Sequence, residues 1–343
     1  MKRKLLVPTL FIITTIALGS CTLPRESISP ATETPIPLTL TPTMDAAPLL
    51  PTGELGLAEN PLILALAPSA NSPEQINAAR EIAAQFMERT GYVVVTIAPD
   101  SYADLVDAFE KGNAHIALFD PLSYALAYQQ DLIRAQFAVV NEDGKIKYGT
   151  QILAPRKSGF TSYFDSETGE NTADVNIALE QFSNRKPCWS EETSPSGYVI
   201  PLGLLNQAQV QTRPAAFVGD QITVVRSLYI GGICDFGASY IDARKFPSLE
   251  DQYPDLVEQV LVIWRAPDII PYEVLAFSTQ MPQPMRDLFA NLIPAIFQTE
   301  AGNSAFKSAY AIEALLAVND GDFKDFHILI EESRIDLFLL INN

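Results

Sequence analysis

The sequence predicts an α/β protein with two lobes and a ligand-binding cleft between them. Three observations support this fold class. Short apolar runs alternate with helix-like segments from about residue 60 onwards. The connections between them are short, which favours parallel strands joined by crossover helices. The alternation also falls into two blocks, and a chain of 343 residues with 48% hydrophobic content can fill two domains of medium size.

Composition argues against several classes of function. The formal net charge is −18 and no basic cluster interrupts the acidic chain, so we expect no nucleic-acid partner. The two histidines, His115 and His327, are far apart in sequence, and no Cys/His group has the spacing of a metal site. We therefore expect neither a metal nor a cofactor.

The N-terminal segment has the pattern of an export signal. Three basic residues (2–4) precede an apolar run (5–18) that is too short for a membrane-spanning helix. The run ends in "LGSC", which resembles the bacterial lipobox. Residues 1–20 are thus predicted to be a lipoprotein signal peptide, and Cys21 the lipidated residue that anchors the protein to a membrane. The alternative is an ordinary secretory signal with an incidental cysteine.

A segment rich in Pro and Thr follows, residues 21–59. It has no helical or strand periodicity, so we expect a disordered tether that holds the folded part away from the membrane. The alternative is a poorly ordered terminus without a role.

The first block has the pattern strand, helix, strand, helix, strand. Its strands are predicted at residues 62–67, 92–98 and 115–119. Ser72 and Pro73 fit the start of the first helix, with Gln75 completing a capping box and Gly91 ending it. Asp100 or Ser101 caps the second helix, and Pro121 opens a third. The three strands should be parallel.

Open α/β sheets bind ligands beyond the carboxyl ends of their strands. The loops at those ends supply four polar or aromatic candidates, namely Ser69, Tyr102, Ser123 and Tyr124. Each could equally be an ordinary turn or cap residue. Their shared position at one edge of the sheet favours a binding site.

The second block continues the alternation. Strands are predicted at residues 148–155, 186–189, 234–239, 261–264 and 272–277. Helices are predicted at residues 172–183, 195–207, 220–232, 282–298 and 302–317, with an amphipathic segment at 322–340. We assign residues 60–147 and 270–343 to lobe 1 and residues 148–269 to lobe 2. The chain should cross between the lobes near 145–155 and 266–275.

The stretch "CWSEETSPSGYVIP" (188–201) is the strongest candidate for an anion site. Ser194 can cap a helix that begins at Pro195. Ser196 and Gly197 would then present free backbone N–H groups at the positive end of the helix dipole. One alternative is a cap without a ligand. A serine nucleophile is disfavoured, because G-x-S-x-G is absent and no histidine is near in sequence.

Six segments of residues 60–340 resemble a known family. They are "LALAPS", "YADLVDAFEKGNAHIALFDPLSYALA", "SPSGYVIP", "SLYIGGICDFGASYIDAR", "PYEVLAFSTQMPQPMRDLF" and "AIEALLAVNDGDFKDFHILIEE". The sequence is similar to the phosphate, phosphite and phosphonate-binding subunits of ABC transporters, which have the type-II periplasmic binding fold. The resemblance implies that a phosphorus oxyanion is bound by Tyr102, Tyr124, Ser194, Ser196 and Gly197, with Asp242 as a weaker candidate acceptor. Tyr198, the next residue of the motif, is a further candidate ligand-binding residue.

Two positions depart from the pattern of that family. Asp120 stands where the family often has Gly before the Pro, and Pro195 stands where it often has Thr within Ser-x-Ser-Gly. Pro195 lacks both a backbone donor and a hydroxyl. Both changes make the site less favourable for a dianion.

The remaining cysteines, Cys188 and Cys234, are predicted to form a disulfide. An exported domain lies in an oxidising compartment, where such a pair can be oxidised. Two buried free thiols are the alternative.

Together these features predict an extracytoplasmic, lipid-anchored, monomeric solute-binding protein that delivers a small anionic solute to an ABC permease in the cytoplasmic membrane, and not an enzyme. A different organic anion or a heterocycle is an alternative ligand. A sensor input is an alternative role. A secreted hydrolase that uses Ser196 is the least favoured reading.

Overall fold

The computed structural model of the protein describes residues 54–342. The predicted signal peptide, Cys21 and most of the predicted tether lie outside these residues. Within the described part, no helix is both long enough and apolar enough to span a bilayer. Residues 54–60, which include the end of the predicted tether, form turns in which Gly56 bonds to Asn60 and Val93.

Thirteen strands are found in the described residues. They are β1 (Leu62–Ala65), β2 (Val94–Ile97), β3 (Ile116–Phe119), β4 (Ile133–Val139), β5 (Lys147–Tyr148), β6 (Thr150–Pro155), β7 (Pro187–Trp189), β8 (Ala216–Phe217), β9 (Phe236–Tyr240), β10 (Val260–Arg265), β11 (Ile270–Pro271), β12 (Val274–Ser278) and β13 (Leu315–Ala317).

Twelve α-helices accompany the strands in the same part of the chain. They are α1 (Pro73–Thr90), α2 (Tyr102–Glu110), α3 (Pro121–Gln129), α4 (Val175–Glu180), α5 (Ile200–Gln207), α6 (Gln221–Ile230), α7 (Pro247–Gln252), α8 (Leu256–Gln259), α9 (Gln283–Phe297), α10 (Glu300–Tyr310), α11 (Lys324–Ser333) and α12 (Leu337–Ile341). A π-helical turn, Pro195–Val199, precedes α5, and a 3₁₀ turn, Asp320–Phe323, precedes α11.

The strands form two main sheets. The first sheet has the order β13-β4-β12-β3-β1-β2, and the second sheet has the order β10-β6-β9-β7-β8. In the first sheet β1 is parallel to β2 and β3, as predicted, whereas β12 is antiparallel to β3 and β4. In the second sheet β7 is parallel to β8 and β9, and β6 is antiparallel to β9 and β10.

The caps of the first block are confirmed. The Ser72 hydroxyl accepts from the Gln75 N–H and the Gln75 side chain accepts from the Ser72 N–H, which closes the predicted capping box. Gly91 has φ +74 and ends α1 in the left-handed conformation that glycine favours. Ser101, rather than Asp100, caps α2. These local signals fix where each helix starts and stops.

The C-terminal third differs from the prediction. The helix expected over 302–317 ends at Tyr310, because Ala311 adopts a left-handed conformation (φ +57), and 315–317 form β13 at the edge of the first sheet. The segment expected over 322–340 is broken at Arg334, which is also left-handed (φ +58). Strand β4 was not predicted at all; it lies between β12 and β13.

The second sheet carries the disulfide between Cys188, on β7, and Cys234, just before β9. Their Cα atoms are 5.5 Å apart, which is usual for a disulfide. Both cysteines are buried beside Val224 and Leu228 of α6. The predicted pairing is confirmed.

Two features connect the parts built on the two sheets. Strands β5 and β11 pair antiparallel and form a separate two-stranded ribbon. In the chain, β5 lies between β4 and β6, and β11 lies between β10 and β12, so the ribbon is formed where the chain passes from one main sheet to the other. Helix α11 packs along α5, and the Asn206 side chain donates to the carbonyls of Glu332 and Ser333 at 2.9 and 3.2 Å. Helix α12 then returns to contact α2 and α3.

Candidate functional site

The turn formed by residues 194–199 (the 194–199 turn) begins as predicted, with Ser194 as the cap and Pro195 as the first residue. The Gly197 N–H, however, donates to Ser194 Oγ at 3.0 Å. The prediction that the Gly197 N–H is free was therefore wrong, because the cap side chain takes it. The Ser196 N–H makes no hydrogen bond within the described residues.

Gln221, the first residue of α6, holds the two hydroxyls of the 194–199 turn. Its Nε2 donates to Ser194 Oγ and to Ser196 Oγ, both at 3.1 Å. Its Oε1 accepts a short hydrogen bond from the Tyr240 N–H of β9. One amide group therefore fixes the turn relative to the second sheet. Sequence reasoning missed Gln221; its position directly after the cap Asp220 was the available signal.

Gly197 is required by packing on its own lobe. A Cβ added there would overlap Ser190 Oγ and lie 2.8 Å from Ser194 Oγ. Ser190 is 1% exposed and its hydroxyl has no hydrogen-bond partner within the described residues. The glycine therefore allows the 194–199 turn to approach the end of β7.

A pocket of about 470 Å³ lies against the 194–199 turn. Its lining residues are Asp143, Lys145, Lys147, Tyr148, Gly149, Ser196, Gln221, Tyr240, Ile241, Asp268 and Tyr272. They come from the 194–199 turn, the start of α6, the end of β9 and the β5–β11 ribbon with its adjoining loops. Thr150 fixes the floor, because its hydroxyl donates to the Ser196 carbonyl at 2.6 Å.

The first sheet contributes an acidic group of residues. The Tyr102 pKa is raised to about 12, first by burial and then by the nearby Asp120 carboxylate; a hydrogen bond with Ser69 opposes the shift. Burial also raises the pKa of Asp120, against the stabilising bonds from Ser123. The Tyr148 pKa is raised by burial and, more weakly, by Asp120, while a hydrogen bond with Ser196 opposes the shift.

Glu273 lies opposite Asp120. Val274 pairs with Phe119 in the antiparallel register of β12 and β3, so the next residues outward, Glu273 and Asp120, face each other across the strand ends. Burial, followed by the Asp120 charge, raises the pKa of Glu273. Among the described residues the Glu273 carboxyl has neither an ion pair nor a side-chain hydrogen bond. Sequence reasoning missed Glu273 because only the strand register reveals its neighbour.

Ser123 and Tyr124 do not lie where the prediction placed them. Ser123 is fully buried as the capping partner of Asp120, whose carboxylate accepts from its N–H at 2.8 Å. Tyr124 is also fully buried, and its hydroxyl donates to Asp320 Oδ1 at 2.9 Å. Its ring contacts Phe323 and His327, with centroid distances of 5.5 and 5.2 Å. Tyr124 therefore joins α3 to the start of α11 instead of facing the pocket.

Tyr198 and Asp242 are also engaged within the second lobe. Tyr198 is half-buried against Trp189 and Phe217, with ring centroids 6.0 and 4.9 Å away. Asp242 has φ +64 and lies 3.4 Å from the Arg265 guanidinium. The neighbouring residues Tyr240 and Ile241 line the pocket, whereas Asp242 does not.

Comparison with known proteins gives a consistent family and fold. The family model described as the periplasmic substrate-binding protein of a phosphonate ABC transporter matches residues 64–323. The phosphate-import protein PhnD of Mycolicibacterium smegmatis is 24% identical over 225 residues. That match covers 63% of this chain and 65% of the relative, slightly less than two thirds of its length.

Solved structures agree at the level of the fold. The XAC2383 protein of Xanthomonas citri, solved bound to ATP, superposes with a TM-score of 0.58 at 13% identity. The same protein bound to chloride ion gives a TM-score of 0.57. Each comparison covers 80% of this chain and 98% of the other.

Proposed function

This chain belongs to the family of periplasmic substrate-binding proteins of ABC phosphonate transporters, and we propose that it binds a small phosphorus oxyanion between its two lobes. Its fold is the two-lobed type-II periplasmic binding fold. Proteins of this family are extracytoplasmic and bind solutes; they are not enzymes. The relative from Mycolicibacterium smegmatis is named for phosphate import.

The 194–199 turn is the observation that carries the proposal. Ser196 lines the pocket, and the turn continues into α5, so a group bound beside the turn would lie near the positive end of the helix dipole. Hydroxyl and backbone donors of this kind bind an oxyanion without a basic residue. Gln221 holds Ser194 and Ser196 in position before a ligand arrives.

Lobe 1, which comprises residues 60–147 and 270–343 in this proposal, would close onto the anion with Tyr102 as a phenolic donor. Burial and the neighbouring acid raise the Tyr102 pKa to about 12, so the hydroxyl keeps its proton at neutral pH. The β5–β11 ribbon is the proposed hinge between this lobe and residues 148–269. Ligand contacts that exist only after rotation would favour the closed form.

The proposed role is delivery of the solute to an ABC permease by a monomer tethered to the membrane through lipidated Cys21. A sensor that signals on closure would use the same site. Genes for a permease and an ATPase beside this gene would favour transport.

Calorimetric titration with phosphate, phosphite, methylphosphonate and sulfate tests the ligand class. We expect at least one phosphorus oxyanion to bind. Ser196→Ala should then weaken binding about tenfold or more, since a hydrogen bond to a charged group contributes about 1.5–3 kcal/mol. Ser183→Ala, an exposed serine outside the pocket, is the matched control. If none of the four anions binds the parent protein, the proposal fails and a different organic anion or a heterocycle becomes the better hypothesis.

A further inference from the structure

The pocket is larger than an inorganic oxyanion requires. Its volume of about 470 Å³ falls within the range of about 300–1,000 Å³ typical of sites for small organic molecules. Its lining includes Ser196 of the 194–199 turn and also Lys145 and Lys147 of the ribbon region, here called the ribbon end. A phosphate held by the 194–199 turn would leave the ribbon end of this pocket unfilled.

Lys147 provides a cation at that end without a carboxylate partner. Lys145 is paired with Asp268 at 2.6 Å, so these two charges offset each other. Lys147 forms no ion pair within the described residues, and its ammonium donates to the Asp322 backbone carbonyl at 3.2 Å. An ammonium has three donors, so two remain for a ligand. The remaining carboxylate of the lining, Asp143, is exposed, whereas Lys147 is half-buried.

The wall between the two ends is largely apolar. The ring centroids of Tyr148 and Tyr272 lie 5.1 Å apart, and Ile241, the residue after β9, belongs to the same lining. Gly149 allows Ile241 and Ala266 to pack closely against the ribbon, because a Cβ there would lie 2.7 Å from Ile241 Cδ1 and 2.8 Å from the Ala266 carbonyl. A short aliphatic chain fits such a wall better than a further polar group.

We propose that the ligand is an organophosphonate whose carbon substituent ends in a carboxylate, with the phosphonate at the 194–199 turn and the carboxylate at Lys147. The inference rests on the proposed function, because it takes the 194–199 turn as the phosphonate end. It adds a second recognition point and a ligand class to that site.

A preference for a substituent that ends in an amine would also have a physical basis, in lobe 1. The experiment must therefore separate an amine preference from a carboxylate preference. Asp120 and Glu273 face each other at the strand ends and would attract an amine. Neither of them lines the pocket beside Lys147. The carboxylate class is therefore favoured for a substituent that follows the pocket, and an amine preference is a defined contrary outcome.

Calorimetry with three probes provides the test: methylphosphonate, 3-phosphonopropionate and 3-aminopropylphosphonate. We expect 3-phosphonopropionate to bind at least tenfold more tightly than methylphosphonate. In Lys147→Met this preference should fall about tenfold, and Lys147→Arg should retain most of it because the charge remains. Lys157→Met, which removes an exposed lysine outside this pocket, should leave both affinities unchanged. Thermal melts of each variant check that it is folded.

Three results would overturn the inference while leaving the proposed function intact. These are equal affinity for methylphosphonate and 3-phosphonopropionate, an unchanged preference in folded Lys147→Met, and tighter binding of 3-aminopropylphosphonate. By contrast, a failure of every phosphorus compound to bind, or binding unaffected by Ser196→Ala, would refute the proposed phosphonate site itself.

Discussion

Tyr124→Phe distinguishes a ligand contact from a structural contact. The family resemblance assigns Tyr124 to the ligand, but the structure buries it completely and directs its hydroxyl to Asp320. We therefore expect the substitution to lower the free energy of unfolding and to leave anion affinity within about twofold of the parent protein. The ring itself stays, so packing against Phe323 and His327 is preserved.

The magnitude follows from the bond that is lost. The Tyr124 hydroxyl donates to Asp320 Oδ1 at 2.9 Å, and a hydrogen bond to a charged group contributes about 1.5–3 kcal/mol. Asp320 Oδ1 also accepts from the Ala135 N–H at 3.0 Å, so the carboxylate is not left without a donor. The free energy of unfolding should therefore fall by an amount near the lower end of that range, about 1.5 kcal/mol.

Urea denaturation followed by fluorescence measures the stability, and calorimetry with the best-bound anion measures the affinity. Tyr128→Phe is the matched control. Its ring stacks on His327 at 3.9 Å, but its hydroxyl makes no hydrogen bond within the described part of the chain. We expect the loss of this hydroxyl to change the free energy of unfolding by less than about 0.5 kcal/mol. If Tyr124→Phe loses affinity at unchanged stability, Tyr124 reaches the ligand and the reasoning fails.

Four further outcomes are expected. Cys21→Ala should abolish lipid labelling and membrane association, and persistent labelling would refute the lipid anchor. Reducing the Cys188–Cys234 disulfide, which spans 46 residues, should lower the free energy of unfolding by roughly 4 kcal/mol; an identical urea midpoint with and without reductant would contradict this. Burial lowers the His327 pKa from 6.5 to about 4, so the unfolded chain binds more protons and stability should fall as pH drops from about 6.5 to 4. His327→Gln should make that decline shallower, and an unaltered pH slope would argue against it. Gly203→Ala should cost about 1–3 kcal/mol, since its Cβ would overlap the backbone of α11; an unchanged unfolding midpoint would show that α11 yields.

Local capping chemistry explains why the first block was predictable. The start of α1 depends on Ser72 and Gln75, which are three residues apart, and its end depends on Gly91. Each of these signals acts within one helical turn, so no distant contact is needed to interpret it. The parallel order of β1, β2 and β3 follows from the helices between them.

The missed and misassigned elements depend on distant contacts. Strand β13 pairs with β4, about 180 residues earlier, and residues 302–317 also carry a helical pattern. The breaks at Ala311 and Arg334 occur at left-handed residues that are not glycine. Such positions carry no compositional signal, because tertiary packing rather than residue type imposes the conformation.

The candidate site was predictable in its residue types but not in its orientations. Helix α3 is buried on nearly all sides, so its sequence has no polar face from which to predict that Tyr124 points to the core. The 194–199 turn was recognisable because Ser194, Pro195 and Gly197 are consecutive local signals. Gln221 reaches the site from the start of α6, where the cap Asp220 marks its position but not its partners, and Glu273 reaches Asp120 through strand register, which no local pattern identifies.

In the proposed two-lobed arrangement, helix α11 would constrain how the lobes can move. It packs along α5, while the turn before it is held by the hydrogen bond from Tyr124 to Asp320 and by the Ala135 N–H of β4. A hinge confined to the β5–β11 ribbon would have to break either the packing of α11 on α5 or the contacts that hold the turn before α11. Closure can preserve both only if the turn Asp320–Phe323 and the left-handed Arg334 bend together with the ribbon. Lys147 couples these sites directly, since it belongs to β5 and donates to the Asp322 carbonyl. A ligand that draws Lys147 away from that carbonyl would therefore act on the pocket and on the turn before α11 at the same time.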